Sequence, residues 1–235
     1  MKVRHIAIDG VASSGKTTIG KILAKKLNYE FIDSGLFYRF ATYRVIELNK
    51  APLLSISKLS KDKYKEALNG ISIDFKDGKL LVDGSYFPLD LLRQQSVDAL
   101  VSPVSEDGFV RESITNILRN IASNKNVVMV GRDIGSVVLK DAFLKIFLTA
   151  TLEERASRRF KELLANGVET TFSKVYENLK LRDMIDSGRS IAPLIVPKDA
   201  YVIDTTNKTV EEVIELILTF IKSKEYALQH SKNNI

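Results

Sequence analysis

A chain of 235 residues, 45% hydrophobic and 27% charged, carries enough apolar material for one substantial core with insertions rather than two full domains. It has no cysteine, which excludes disulfides, thiolate metal sites and a cysteine nucleophile. The net charge of +6 favours anionic partners, but the basic residues are scattered and no aromatic-plus-basic ribonucleoprotein signature occurs, so no nucleic-acid partner is expected.

No stretch approaches the ~18 uncharged residues of a membrane span, and Asp9 interrupts the first apolar run before a signal-peptide core can form. A cytoplasmic protein with no membrane partner is expected.

The first element is the apolar run "VRHIAID", which predicts a strand ending at a glycine loop. "GKTTIGKILAKKLN" follows with Ile19, Ile22, Leu23 and Leu27 at helical spacing. From about Lys50 to Ser102 the rhythm changes, and "ISIDFKDGKLLVDG" alternates around Asp77-Gly78, the type of turn that closes a β-hairpin. Residues 50–102 are therefore read as an inserted lobe.

The runs "NVVMVG", "LKIFLTA" and "AYVID" read as buried parallel strands among helical patterns, which points to an α/β, doubly wound parallel sheet with helices on both faces. Two charged helical stretches, "LEERASRRFKELLANG" and "FSKVYENLKLRDMIDSG", predict a helical lid over 152–189. "VEEVIELILTFI" closes a single domain, 1–222, and 223–235 reads as a partly ordered tail.

Residues Gly10 to Thr17, "GVASSGKT", satisfy the P-loop pattern G-x-x-x-x-G-K-S/T between a predicted strand and helix, as that motif requires. Gly10, Ser13, Ser14, Gly15, Lys16, Thr17 and Thr18 form the expected nucleotide-binding set. The loop amides converge on phosphates at a helix N-terminus, Lys16 reaches the β and γ oxygens, and Thr17 offers its hydroxyl to Mg²⁺.

A grip of this kind serves either a nucleotide-driven switch or a kinase. A GTPase switch needs D-x-x-G and N-K-x-D, and the chain has neither. An acceptor site for a phosphorylated substrate calls for arginines on separate elements, because the guanidinium fork matches phosphate oxygens. Arg39, Arg111, Arg132, Arg182 and Arg189 are the candidates. Arg132 follows the strand "VVMV" at the sheet edge where α/β proteins bind ligands, and the spacings of Arg182, Asp186 and Arg189 put all three on one face of a helix.

Together the P-loop, "IDSGLFYR", "VGRDIGSVV" and "RDMIDSGRSIAPLIVPKDAYVIDTT" resemble bacterial cytidylate kinases, the nucleoside-monophosphate kinases of CMP and dCMP, over residues 3 to about 222. The resemblance implies a P-loop kinase core with a monophosphate-binding insert and a lid, with ATP as donor and Mg²⁺. No long apolar stripe is left unassigned, so a monomer is expected. It places Ser34, Arg39 and Arg132 in the acceptor pocket, with Arg39, Arg132 and Arg189 on the monophosphate. Ser102, Arg111 and Asp133 match positions that read the cytosine edge, and Arg182 and Asp186 match those at the sugar hydroxyls. Lys16, Arg132, Arg182 and Arg189 are the expected catalytic set, with Arg155 or Arg159 as possible helpers.

The resemblance has departures. Val11 stands for a proline, Ser13 or Ser14 for a glycine, Thr17 for glycine or serine, and Ser136 for threonine; around "LRNIASN" the family's glutamine-arginine pair is missing. The alternatives are another P-loop small-molecule kinase, of adenylate, uridylate or shikimate type, and a P-loop ATPase that is not a kinase.

Overall fold

Alternate residues of each central strand serve opposite faces, so both faces of the sheet must be covered. Ala7, Ile32, Val127 and Met129 join one apolar cluster, while Ile6, Ile8, Val128, Val130, Leu144 and Ile146 join another. That period of two inside unbroken apolar runs is the mark of a parallel sheet with helices on both faces.

The structure, a computed structural model, describes residues 3–49, 61–76 and 78–232. The first part of the expected insert (50–60), Asp77 of the expected hairpin turn, and the end of the expected tail (233–235) lie outside these.

Strands β1 (His5–Gly10), β2 (Glu30–Asp33), β6 (Val127–Val130), β7 (Leu144–Thr149) and β8 (Tyr201–Asp204) form a five-stranded sheet in the order β2-β6-β1-β7-β8, parallel throughout. The second strand, β2, has only four residues, of which one is buried; it was too short and too polar to stand out as an apolar run. Helices α1 (Lys16–Leu27) and α8 (Val210–Lys232) contribute Ile19, Leu23, Val213 and Ile217 to the cluster on one face. On the other face α2 (Ser34–Asn49), α4 (Gln95–Val104) and α5 (Gly108–Ala122) supply Phe37, Phe40, Val104 and Ile114.

Between α2 and α4 lie α3 (Lys61–Leu68) and a small antiparallel sheet of β3 (Ile73–Lys76), β4 (Lys79–Val82) and β5 (Ser85–Tyr86). The β3–β4 register pairs Phe75 with Leu80, both buried in the same cluster as α2, and the Phe75 ring lies 5.8 Å from that of Phe37. The hairpin thus shares the core of the main sheet.

Helices α6 (Leu152–Ala165) and α7 (Phe172–Gly188) pack together through Ala156, Val175 and Leu179, and Ala12 of the P-loop completes that cluster. Helix α8 continues to Lys232, through most of the stretch read as a tail. Among the described residues no helix is long and apolar enough to cross a membrane.

Candidate active site

The donor loop is made by backbone geometry. A Cβ on Gly10 would fall 2.0 Å from the Leu148 carbonyl oxygen of the neighbouring strand, so only glycine fits there. Ser13 has φ 58°, a left-handed conformation that non-glycine residues adopt at a cost. Gly15, at φ 92°, precedes the first turn of α1, whose free amides and positive dipole end make an anion cradle. Gly10 of the expected set stands behind this cradle, while Ser13 to Thr18 line a cleft of about 510 Å³.

Lys16 lies buried at the floor, with Nζ donating to the Val11 carbonyl at 2.6 Å. Burial, reinforced by Arg132 and Arg182, holds its pKa well below the ordinary lysine value, against the pull of Asp33 and Asp9. Thr17 Oγ1 donates to Asp33 Oδ2 at 3.0 Å. These two hard oxygens sit beside the cradle, and no cluster of three metal-ligating side chains occurs among the described residues. Such a donor set fits Mg²⁺, which takes one or two protein oxygens and fills its octahedron with phosphate and water.

The opposite wall of the cleft is made by side chains from five elements. Ser34, at the start of α2, donates to the Val130 carbonyl at 2.9 Å. Arg39, one turn further, donates to the Leu92 carbonyl at 2.9 Å and pairs with Asp98 of α4. Arg111 of α5 pairs with Asp133 at 2.9 Å, both nearly inaccessible, and its guanidinium lies 5.3 Å from the Tyr38 ring centroid. Burial raises the Asp133 pKa despite Arg111 and Arg189. Asp133 is fully buried, in a polar cluster that borders the cleft.

Asp186 of α7 receives Arg132 Nε at 2.7 Å and also pairs with Arg189. Burial pushes its pKa up, but the two guanidiniums prevail and hold it below the ordinary carboxylate value. Arg182 is pushed down to about 10, by burial first and by Arg132 next.

Two expectations need correction. The helix ends at Gly188, so Arg189 is not on one helical face with Arg182 and Asp186; it sits just beyond, at φ −60° and ψ 139°, and reaches back to Asp186. Arg155 does not line the cleft. Its guanidinium pairs with Asp183 at 2.6 Å and donates to the carbonyls of Ala12 and Ala150, which ties α6 and α7 to the P-loop. Arg158 and Arg159 are the α6 arginines in the cleft.

Asp33, Tyr38 and Asp98 were missed as site residues. Tyr38 directly precedes the motif's Arg39 and Asp33 stands six residues before it, positions that carry little signal of their own, and Asp98 meets Arg39 only in the fold.

Lys16 and seven arginines line the cleft against four carboxylates. Buried and without a hydrogen-bond partner are Nε of Arg111, Arg182 and Arg189. Orphaned charged donors of this kind are costly unless an anion completes them. A phosphate cradle facing such a surplus of cations defines the class as a P-loop kinase with an anionic acceptor.

Residues 6–223 match the family described as Cytidylate kinase, and the chain belongs to that family. It is 45% identical over 222 residues to a cytidylate kinase of Caldicellulosiruptor saccharolyticus, covering 93% of this chain and 95% of the relative. A cytidylate kinase of Enterococcus faecalis is 42% identical over 228 residues, covering 95% and 97%. A crystal structure of an uncharacterized protein from Eubacterium ventriosum has the same fold, with a TM-score of 0.50 at 15% identity over 94% of this chain and 99% of that one.

Proposed function

We propose that the chain transfers the γ-phosphoryl group of ATP, with Mg²⁺, to the phosphate of CMP or dCMP, giving ADP and CDP or dCDP. The observation that carries this reading is the opposition, within one cleft, of a phosphate cradle and an arginine wall in which the buried Nε atoms of Arg111, Arg182 and Arg189 lack partners.

The amides of Ser13 to Lys16 hold the donor phosphates, with Thr18 beside them, and Lys16 lies on the β and γ oxygens. Arg39, Arg132 and Arg189 take the monophosphate, whose internal stand-ins are the carboxylates of Asp98 and Asp186. Arg182 and Asp186 lie at the sugar, with Ser34 closing the pocket. Ser102 and the Arg111–Asp133 pair read the base: Asp133 accepts from the amino group of cytosine and meets the carbonyl of uracil with like polarity.

An oxygen of the acceptor phosphate forms the new bond to Pγ as the bond from Pγ to the bridging oxygen of ADP breaks, and ADP leaves with the electron pair. The acceptor is already anionic, so no strong base is required, and the residues serve alignment and charge. Thr17 and Asp33 would hold Mg²⁺ from the protein side, and the ion would supply positive charge to the donor phosphates. Lys16, Arg132, Arg182 and Arg189 spread charge over the transferred group. Helices α6 and α7 act as the lid over 152–189, the segment 50–102 as the monophosphate-binding insert of a single domain spanning 1–222, and 223–235 as its C-terminal extension. The protein acts as a cytoplasmic monomer.

The test is one panel: ATP, Mg²⁺ and each candidate acceptor, with ADP release measured. CMP and dCMP should be well above UMP, with AMP and GMP poor; equal rates on CMP and AMP would overturn the reading.

A further inference from the structure

Asp9 belongs to neither the phosphate cradle nor the arginine wall, yet the two halves of the cleft meet at its carboxylate. It is the residue of β1 immediately before Gly10, where the donor loop starts. Only 1% of it is exposed. Oδ1 accepts the Ile134 N–H at 2.7 Å and Oδ2 accepts the Gly135 N–H at 2.7 Å. Both amides open the short π-helical segment Ile134–Val138, directly after Arg132 and Asp133.

The β1–β6 ladder ends just before that pair. Ile8 is in register with Val130, and the Gly131 N–H donates to the Ile8 carbonyl at 3.0 Å. Arg132 and Asp133 then leave the sheet, and the next two amides are caught by Asp9. The Arg132-Asp133 segment is therefore pinned on one side to Ile8 and on the other to Asp9. The residue after these two is the first glycine of the P-loop.

The arrangement has little slack. A Cβ on Gly135 would lie 3.1 Å from Lys145 Cδ and 3.3 Å from Asp9 Oδ2. Two parallel N–H donors call for two acceptors on a short stem; an amide in that place has one acceptor and turns its own N–H against an N–H. Stability alone does not account for the acid. Burial pushes its pKa up to about 6 even against the two amide bonds, so at neutral pH the ionised form costs the fold free energy.

We propose that Asp9 is a positioning residue for phosphoryl transfer, fixing the Arg132-Asp133 segment of the acceptor half to the strand that carries the donor loop. This rests on the acceptor roles given above to Arg132 and Asp133. Asp9 touches neither substrate; it acts by holding the attacking and transferring groups in line, where a misplacement of about 1 Å costs on the order of 10²-fold in rate.

The test is Asp9→Asn, which keeps the shape and removes one acceptor. Expected are a 10- to 100-fold lower kcat/KM for CMP and a KM for ATP within about twofold of wild type. CMP parameters within about twofold of wild type, or a KM for ATP raised as much as that for CMP, overturn the proposal. Arg132→Ala and Asp133→Asn separate it from the underlying reading. If CMP dependence is unaltered in those two, the acceptor assignment fails; if it is altered in them and not in Asp9→Asn, the positioning role alone fails.

Should Asp9→Asn not fold, hydrogen exchange on the wild type decides. Protection of the Ile134 and Gly135 amides at the level of the β1–β6 ladder supports the clamp, and exchange at the rate of an exposed loop overturns it.

Discussion

The donor and acceptor halves of the cleft bind anions by different means. The donor half is backbone: a glycine that admits the Leu148 carbonyl, a left-handed serine and the first amides of α1. Its shape is set by φ angles and strand packing, before any ligand arrives. The acceptor half is side chain, with its guanidiniums parked on internal carboxylates, Arg39 on Asp98 and both Arg132 and Arg189 on Asp186. Preorganised amides serve a phosphate common to all donors, whereas exchangeable ion pairs can be remade around one particular acceptor. Changes in the acceptor half should therefore act on the reaction and on local charge balance, and changes in the donor half on loop conformation.

The largest effect should come from Arg189→Ala. Removing a guanidinium that neutralises the transferred group costs on the order of 10³-fold in turnover by analogy with arginine fingers, read by steady-state kinetics at saturating CMP. Turnover near wild type would show that charge on this side is dispensable and erase the contrast between the halves. Next is Asp186→Asn, which leaves Arg132 and Arg189 facing each other in a buried place. Breaking a buried pair of this kind costs about 3 kcal/mol, measurable by denaturant unfolding. The Asp186 pKa is held below its ordinary 3.8, so its contribution is fully present above that value and is lost as the pH falls through the lowered one. The gap between wild type and variant should close in acid; a gap independent of pH would mean the carboxylate's charge is not what the arginines need.

The same contrast governs what was legible in the sequence. The donor half is contiguous, so "DGVASSGKTT" named its strand edge, loop and helix start at once. The acceptor arginines and Asp186 could be named only as separate residues, not as partners, because the contacts are remote in the chain: Arg132 meets Asp186 across 54 positions, and the Ile134 amide meets Asp9 across 125. Local spacing misled at Arg189, because i, i+3 and i, i+4 spacing holds only while the helix lasts, and it stops at Gly188. The central strands were visible as apolar runs, but β2 was not, since a four-residue strand with one buried side chain carries no such signal.

Lys16 is where the donor half depends on charge. Burial, Arg132 and Arg182 hold its pKa well below the ordinary value, while donor phosphates favour its protonated form. ATP binding should therefore take up a proton at pH values above the lowered pKa, and affinity should fall up to about tenfold per unit as the pH rises through that window, a factor of ~1.4 kcal/mol. Calorimetric titration in two buffers of different ionisation enthalpy measures the uptake, and Lys16→Met should abolish it. Binding with no proton uptake at any alkaline pH would mean that Lys16 is already fully charged without nucleotide.

The smallest expected effect tests the claim that backbone angles build the donor loop. Ser13 or Ser14 stands where the resemblance leads one to expect a glycine, and the circumstances of the two differ. Ser13 is left-handed at φ 58°, a conformation that glycine adopts without the Cβ penalty, partly offset by the greater freedom glycine has when unfolded. Ser14 is fully buried and its Oγ donates to the Val11 carbonyl at 3.0 Å. Ser13→Gly should therefore stabilise the protein by about 0.5 kcal/mol, whereas Ser14→Gly should destabilise it by about 1 kcal/mol through the lost hydrogen bond. Both shifts are readable as thermal midpoints. The opposite ordering would place the strain at the wrong serine, and with it the account of a cradle shaped by φ angles.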